Sequence, residues 1–382
     1  MKSDTWHNLD TIAPRMKEIA LAIGHRPELG HEEFFAAELL TSELESRGFQ
    51  VTRGVLDLPT AFIAEYRSEK PGPIIAYLCE YDALPDLGHA CGHHLICTMS
   101  MAAAISLMPA IDLYGGILRV YGTPAEETSG AKVPMAEAGM FDDVDAAMMA
   151  HPYYTYEESG TSLAMDAVQY EFHGKAAHAA ATPHEGVNAL DAVIMLFNAV
   201  GALRQQVQSD ARIHGIIVSG GKAPNIIPDY TCARFYIRSA TRSYTTQLVE
   251  RVRACADGAA LQTGCTLTVS NYEYSYDELR TNEALSQLFN HNLFDLGVDQ
   301  EELTNGKDNG SIDLGNVSLR CPAIHPYVKV TDEPHRLHTP EFRDHALKEQ
   351  AFTYMMIGAK ALAGTGYDLL SKPEALRAVR GE

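Results

Sequence analysis

The chain has 382 residues, 46% hydrophobic and 21% charged, which is enough apolar material for a full core and more length than one core usually organises, so two domains are expected. Fifty acidic against thirty basic side chains give a formal net charge of −20, which repels nucleic-acid backbones and anionic membrane surfaces and excludes both as partners. The seven cysteines are odd in number and scattered, so they form no disulfide framework and point to a reducing, cytoplasmic setting.

The opening residues Met1 to Trp6 lack the apolar core of a secretory signal, and no stretch is expected to approach the ~20 apolar residues of a membrane helix. The first forty or so residues carry helical periodicity, with Ile19, Ala20 and Ile23 and then Ala37, Leu39, Leu40 and Leu44 recurring largely at three- and four-residue steps. Gly48 ends a helix, and Phe49-Gln50-Val51 opens an extended run. Ile74 to Leu78, Gly116 to Tyr121 and Ala146 to Ala150 are near-continuous apolar runs, the pattern of strands buried in a helix-covered sheet. A small-residue helix is predicted from about Leu95 to Met108 between the first two. Strand, helix, strand in this order indicates an α/β layer.

The character changes near Met165. The predicted order becomes strand (Val168 to Phe172), helix (Val187 to Gln208), strand (Arg212 to Ser219), strand (Thr231 to Ile237), helix (Tyr244 to Thr263) and strand (Leu267 to Tyr274). That β-α-β-β-α-β order is the ferredoxin-like sandwich, a unit able to stand alone. After Tyr276 the α/β character resumes and ends in a helix from about Pro340 to Ala363. The expected organisation is an α/β domain made of residues 1–164 and 277–382, interrupted by an inserted domain at residues 165–276. Active sites favour such interfaces.

His89-Ala90-Cys91-Gly92-His93-His94 places up to four metal-capable side chains within six residues, and Gly88 and Gly92 free the backbone to fold around a cation. Thiolate and neutral imidazole are preferred zinc ligands and serve other borderline ions. Gly122-Thr123-Pro124-Ala125-Glu126-Glu127-Thr128 follows an apolar strand, where the carboxyl ends of open α/β sheets hold ligands. Adjacent carboxylates of an extended segment point in opposite directions, so one can bind a metal while its neighbour faces the attacking water. His151 follows a third apolar run, and His338 precedes the last helix. Taken singly, each stretch has an inert reading: titrating histidines beside a buried thiol, two solvated glutamates, a structural histidine. Convergence makes them an inventory for two metals with mixed N, O and S donors. The other six cysteines read as small buried hydrophobes. Ser219-Gly220-Gly221-Lys222 lacks the spacing of a phosphate loop.

Together these residues resemble the aminoacylase and dipeptidase family of two-metal hydrolases, peptidase family M20, and most of all its amidohydrolase branch with aminobenzoyl-glutamate hydrolase and dipeptidase relatives. The resemblance covers essentially the whole chain: His25 to Leu29 with Glu32-Glu33, Glu80 to Pro85, Gly88 to His93, Gly122 to Glu127, His173 to Ala180, Ala223 to Asp229, Gly315 to Ser318, and His338 to Phe342. It implies a zinc-peptidase-like catalytic domain with a mixed central sheet, interrupted by an α+β ferredoxin-like lid through which the chain forms a homodimer. It also implies two divalent ions per subunit, zinc or manganese, held by Cys91, His93, Glu127, His151 and His338, with Cys91 as the bridge. Glu126 matches the catalytic base and Asp82 a carboxylate that orients a ligand from behind. His178 matches a histidine that polarises the substrate carbonyl, in several relatives from the partner subunit, and Asn225 and Arg238 lie in the substrate-binding part of the lid. His94 departs from the branch, whose members often carry Asn there.

The implied reaction is hydrolysis of the amide bond of an N-acyl amino acid or dipeptide-like substrate with a free carboxylate, Glu126 taking the proton of water and returning it to the leaving nitrogen. A strict dipeptidase or an aminobenzoyl-glutamate-type hydrolase is the near alternative. A metal-independent hydrolase using Cys91 as nucleophile, or a non-catalytic binding protein, is the alternative of another class. The expected partners are a small-molecule amide and a second copy of the chain, with no nucleic acid and no membrane.

Overall fold

In the computed structural model, which describes residues 1–306 and 310–382, the apolar runs become the strands Ile74–Cys79, Ile117–Gly122 and Ala146–Met148. They pair in parallel near the middle of a six-stranded sheet. Phe62–Arg67 and Gln50–Arg53 add antiparallel strands on one side and Ala323–Ile324 a parallel strand on the other, so the sheet is mixed. The helix between the first two runs spans His93–Tyr114, longer at both ends than the sequence predicts. It is apolar on all sides because the sheet and the helices Lys2–Gly24 and Glu349–Ser371 surround it. By length and apolar content it could cross a membrane, which corrects the expectation that no stretch approaches that size. Here it is the buried core of its unit.

The expected last helix is two helices, Pro340–Ala346 and Glu349–Ser371. Thr339 caps the first, its hydroxyl accepting from Phe342 N at 3.2 Å. Extended backbone at Lys348 turns the chain between them, and the hydrophobic period runs across that turn without registering it. A second small sheet joins His151–Tyr153, Tyr327–Lys329, Tyr156–Glu157 and Leu303–Thr304.

The chain divides into two compact units, the first built from Met1–Thr161 and most of the chain after Leu279, the second from Ser162–Glu278. The second is a four-stranded antiparallel sheet in the order Thr266–Asn271, Ala164–His173, Tyr230–Ser239, Arg212–Ser219. Helices Ala189–Leu203 and Arg242–Thr263 cover one face, burying Val168, Tyr170, Phe172, Leu196, Phe235 and Val252. This is the ferredoxin-like sandwich. Its first helix is shorter than predicted because Arg204–Gln206 tightens into a 3-10 turn, while Asn188 Oδ1 caps its start by accepting from Leu190 N at 3.0 Å.

Candidate active site

Gly92 sits at the entry to the helix His93–Tyr114 with φ +82, and a Cβ there would meet Pro152 Cγ at 2.5 Å. Only glycine meets both demands. The turn leaves Cys91 buried just before the helix and His93, fully buried, at its first position. Asp82, three residues past the strand Ile74–Cys79, accepts from His93 Nδ1 at 3.0 Å. That bond fixes the ring and turns Nε2 toward the site. Nε2 is buried without a hydrogen-bond partner among the described residues, and it faces Glu80 Oε2 at 3.6 Å, Glu127 Oε1 at 3.8 Å and Glu126 Oε2 at 4.0 Å. Burial alone would favour the neutral ring, yet Asp82 and Cys91 hold the His93 pKa well above its ordinary value. Positive charge is stabilised at this spot.

Two buried carboxylates anchor the Glu126-Glu127 turn. Glu33 Oε1 accepts from Ala125 N at 2.9 Å, and Asp82 Oδ2 accepts from Glu127 N at 3.0 Å. Asp82 therefore orients His93 with one oxygen and Glu127 with the other. Ala125 itself is held at φ +61, a left-handed conformation that a non-glycine residue adopts only where its surroundings enforce it. Glu126 is nearly buried, and burial, followed by Glu80, Glu127 and Asp313, raises its pKa well above the carboxylate range. A raised carboxyl pKa suits a group that must both accept and return a proton.

His151 donates from Nδ1 to Pro152 O at 2.9 Å and brings Nε2 to 3.3 Å from Cys91 Sγ. Burial lowers His151 to about 3 and lifts the Cys91 thiol well above its ordinary value. His338 Nε2 lies 3.2 Å from Glu127 Oε1, and its backbone N donates to Ala90 O at 3.0 Å, which ties it to the Cys91 loop. Donor atoms of Cys91, His93 and His151 lie within 4.8 Å of one another, as do those of Cys91, Glu127 and His338. The two groups share the thiol. An orphaned imidazole nitrogen and a compact set of S, N and O donors fit divalent ions of the zinc and manganese type.

Sequence reasoning missed three buried charges here. Lys132 Nζ lies 2.7 Å from Glu80 Oε1 and 2.7 Å from Asp313 Oδ1, all three buried. Donor atoms of Glu80, His93 and Glu126 also lie within 4.8 Å of one another. A lysine among Gly130, Ala131, Val133 and Pro134 was the available signal.

In the second unit, His178 is exposed, and its Nδ1 accepts from Ala180 N at 3.3 Å and Ala181 N at 3.2 Å. An Nδ1 that accepts leaves Nε2 as the ring's N–H donor. Ala179 N donates to Asn225 O at 3.0 Å, so the His178 and Asn225 segments are adjacent. Arg238 is elsewhere. It lies eight residues along the strand from Tyr230, opposite Met165 and Arg212, about 27 Å away at the rise of an extended strand. Its guanidinium rests 5.3 Å from the Tyr236 ring centroid.

Residues 165–263 match the peptidase dimerisation domain of the M20 peptidases. The Xaa-Arg dipeptidase of Mus musculus is 38% identical over 100% of this chain and 92% of its own length. The chain belongs to the M20 peptidase family. One of the subunits of the p-aminobenzoyl-glutamate hydrolase of Escherichia coli (strain K12) is 40% identical over 66% of this chain and 56% of that protein. A dinuclear metal binding peptidase of the M20 family from Bacillus subtilis superposes with a TM-score of 0.70 at 20% identity, covering 94% of this chain and 99% of that one. This M20 chain is a metal-dependent hydrolase of amide bonds.

Proposed function

We propose that this M20 hydrolase binds two divalent ions, zinc or manganese, through Cys91, His93, Glu127, His151 and His338, and cleaves the amide bond of a dipeptide-like or N-acyl amino acid substrate with a free carboxylate. The observation that carries the reading is the shared thiol of Cys91 between two donor groups, with Glu126 held beside them. When bound, the ions polarise the amide carbonyl and acidify the attacking water. Glu126 takes the proton and delivers it to the leaving nitrogen, a double duty that its raised pKa supports. Asp82 keeps His93 and Glu127 in register. His178 donates a hydrogen bond from Nε2 to the carbonyl oxygen and so polarises it, while Asn225 and Arg238 bind substrate, the guanidinium suiting a carboxylate.

The spacing of the lid groups supports a shared site. His178 and Asn225 lie beyond the Tyr230 end of the strand Tyr230–Ser239 and Arg238 near its other end, Tyr230 and Arg238 being about 27 Å apart along it, which favours a homodimer in which His178 serves the other copy. The edge strand Arg212–Ser219 exposes Ile216, Ile217 and Val218, an apolar edge suited to a second lid. Seven free cysteines support a reducing cytoplasm. The reading of Cys91 as a metal-independent nucleophile is disfavoured, because burial raises its thiol where a nucleophile needs a lowered one. The full-length match to an Xaa-Arg dipeptidase favours dipeptides over N-acyl amino acids.

The test is turnover on a panel of dipeptides, N-acyl amino acids and aminobenzoyl-glutamate, with wild type and Glu126→Gln. The variant is expected to keep its metals and lose ~10³-fold or more in kcat on every substrate cleaved. Near-wild-type turnover would remove Glu126 from the mechanism.

A further inference from the structure

Lys132 has no exposed surface. An ammonium in such a place is destabilising unless it is paired and hydrogen-bonded, and here it is both. Its Nζ donates to Glu80 Oε1 and to Asp313 Oδ1 at 2.7 Å each, and its backbone N donates to Asp313 Oδ2 at 3.2 Å. Asp313 thus grips the lysine at both ends, and the lysine grips Glu80 by one oxygen. The second oxygen of Glu80 is turned the other way, 3.6 Å from His93 Nε2. Two carboxylates against one ammonium leave a negative charge over, on the side where His93 and Glu126 converge.

We propose that Lys132 is a positioning residue which turns Glu80 Oε2 into the site, making Glu80 a further donor to the cation that His93 binds. The inference rests on the two-metal reading above. A carboxylate anchored through one oxygen loses its freedom to rotate, so the other oxygen is presented without an ordering penalty when the ion arrives. Asp313 supplies the rigidity, since Lys132 alone could swing with its partner. A purely structural salt bridge would weaken both binding steps alike through the lost charge when Glu80 is neutralised, so equal weakening of the two steps overturns the proposal.

The test is a chelator-competition titration of the metal-free protein with Zn²⁺ alone and Mn²⁺ alone. Glu80→Gln keeps the side chain's shape and can still accept from Lys132 through its amide oxygen. It is expected to weaken one of the two binding steps ~10- to 100-fold, the range for groups that support ligands, with the other step and the metal-free Tm unchanged. Lys132→Met is expected to weaken the same step, and Lys132→Arg to restore part of it. Two unchanged steps in Glu80→Gln overturn the proposal, and that variant decides alone if Lys132→Met does not fold. Cys91→Ala serves as the control and is expected to lose both ions. Loss in Cys91→Ala with unchanged Glu80→Gln defeats this inference only, whereas full binding by Cys91→Ala defeats the two-metal reading beneath it.

Discussion

Glu33 is completely buried behind the turn that carries Glu126, with one oxygen accepting from Ala125 N and the other from Thr60 Oγ1. Burial, followed by Asp82, lifts its pKa from 4.5 to about 7. A carboxyl whose pKa is higher in the folded than in the unfolded state binds its proton more tightly when folded. Its contribution therefore favours folding below pH 4.5 and is lost as the pH rises to about 7. The shift corresponds to roughly 3 kcal/mol across that window. Glu33→Gln should remove this decline, so that its stability in urea falls less than that of wild type between pH 4.5 and 7. Equal pH slopes in the two proteins would mean that Glu33 titrates normally. At this scale the sequence was readable where chemistry is contiguous, as in Cys91-Gly92-His93 and Glu126-Glu127. Lys132 and Asp313 are 181 positions apart, and a buried pair so distant leaves no local pattern to find.

Among the elements, the helix His93–Tyr114 and the turn before it do the most to build the site. Gly92→Ala would place a methyl group 2.5 Å from Pro152, next to His151, at a φ of +82. The expected cost is about 1–3 kcal/mol of stability, together with a fall in metal content, because Pro152 and Cys91 cannot both keep their places. Thermal melting and elemental analysis check the two parts, and a wild-type result in both would show that the turn tolerates a side chain. The three apolar core strands and the strands and helices of the lid were legible to within a few residues from their apolar runs and helical periods, whereas Phe62–Arg67, Ala323–Ile324 and the short strands of the second small sheet were not foreseen. The central helix was not, since a helix buried on all sides has no polar face to mark its ends. The break at Lys348 was hidden for a related reason: the apolar residues on either side keep their phase.

For the whole molecule, the insertion was readable in the switch from apolar α/β runs to a β-α-β-β-α-β order. What one copy contributes to another leaves no trace in one sequence. If His178 acts on the partner's substrate, a mixture of Glu126→Gln and His178→Ala subunits regains activity, because one site of each mixed dimer has both groups. Random pairing in a symmetric dimer predicts about a quarter of the wild-type rate. No recovery after verified subunit exchange would place His178 in the site of its own chain.

All of this depends on two ions meeting at one thiol. Anomalous diffraction from crystals of the zinc- or manganese-loaded enzyme tests that directly. Two peaks are expected, each about 2.0–2.5 Å from its donors, one shared by Cys91, His93 and His151 and the other by Cys91, Glu127 and His338. A single peak, or peaks away from Cys91 in crystals of active enzyme, would contradict it.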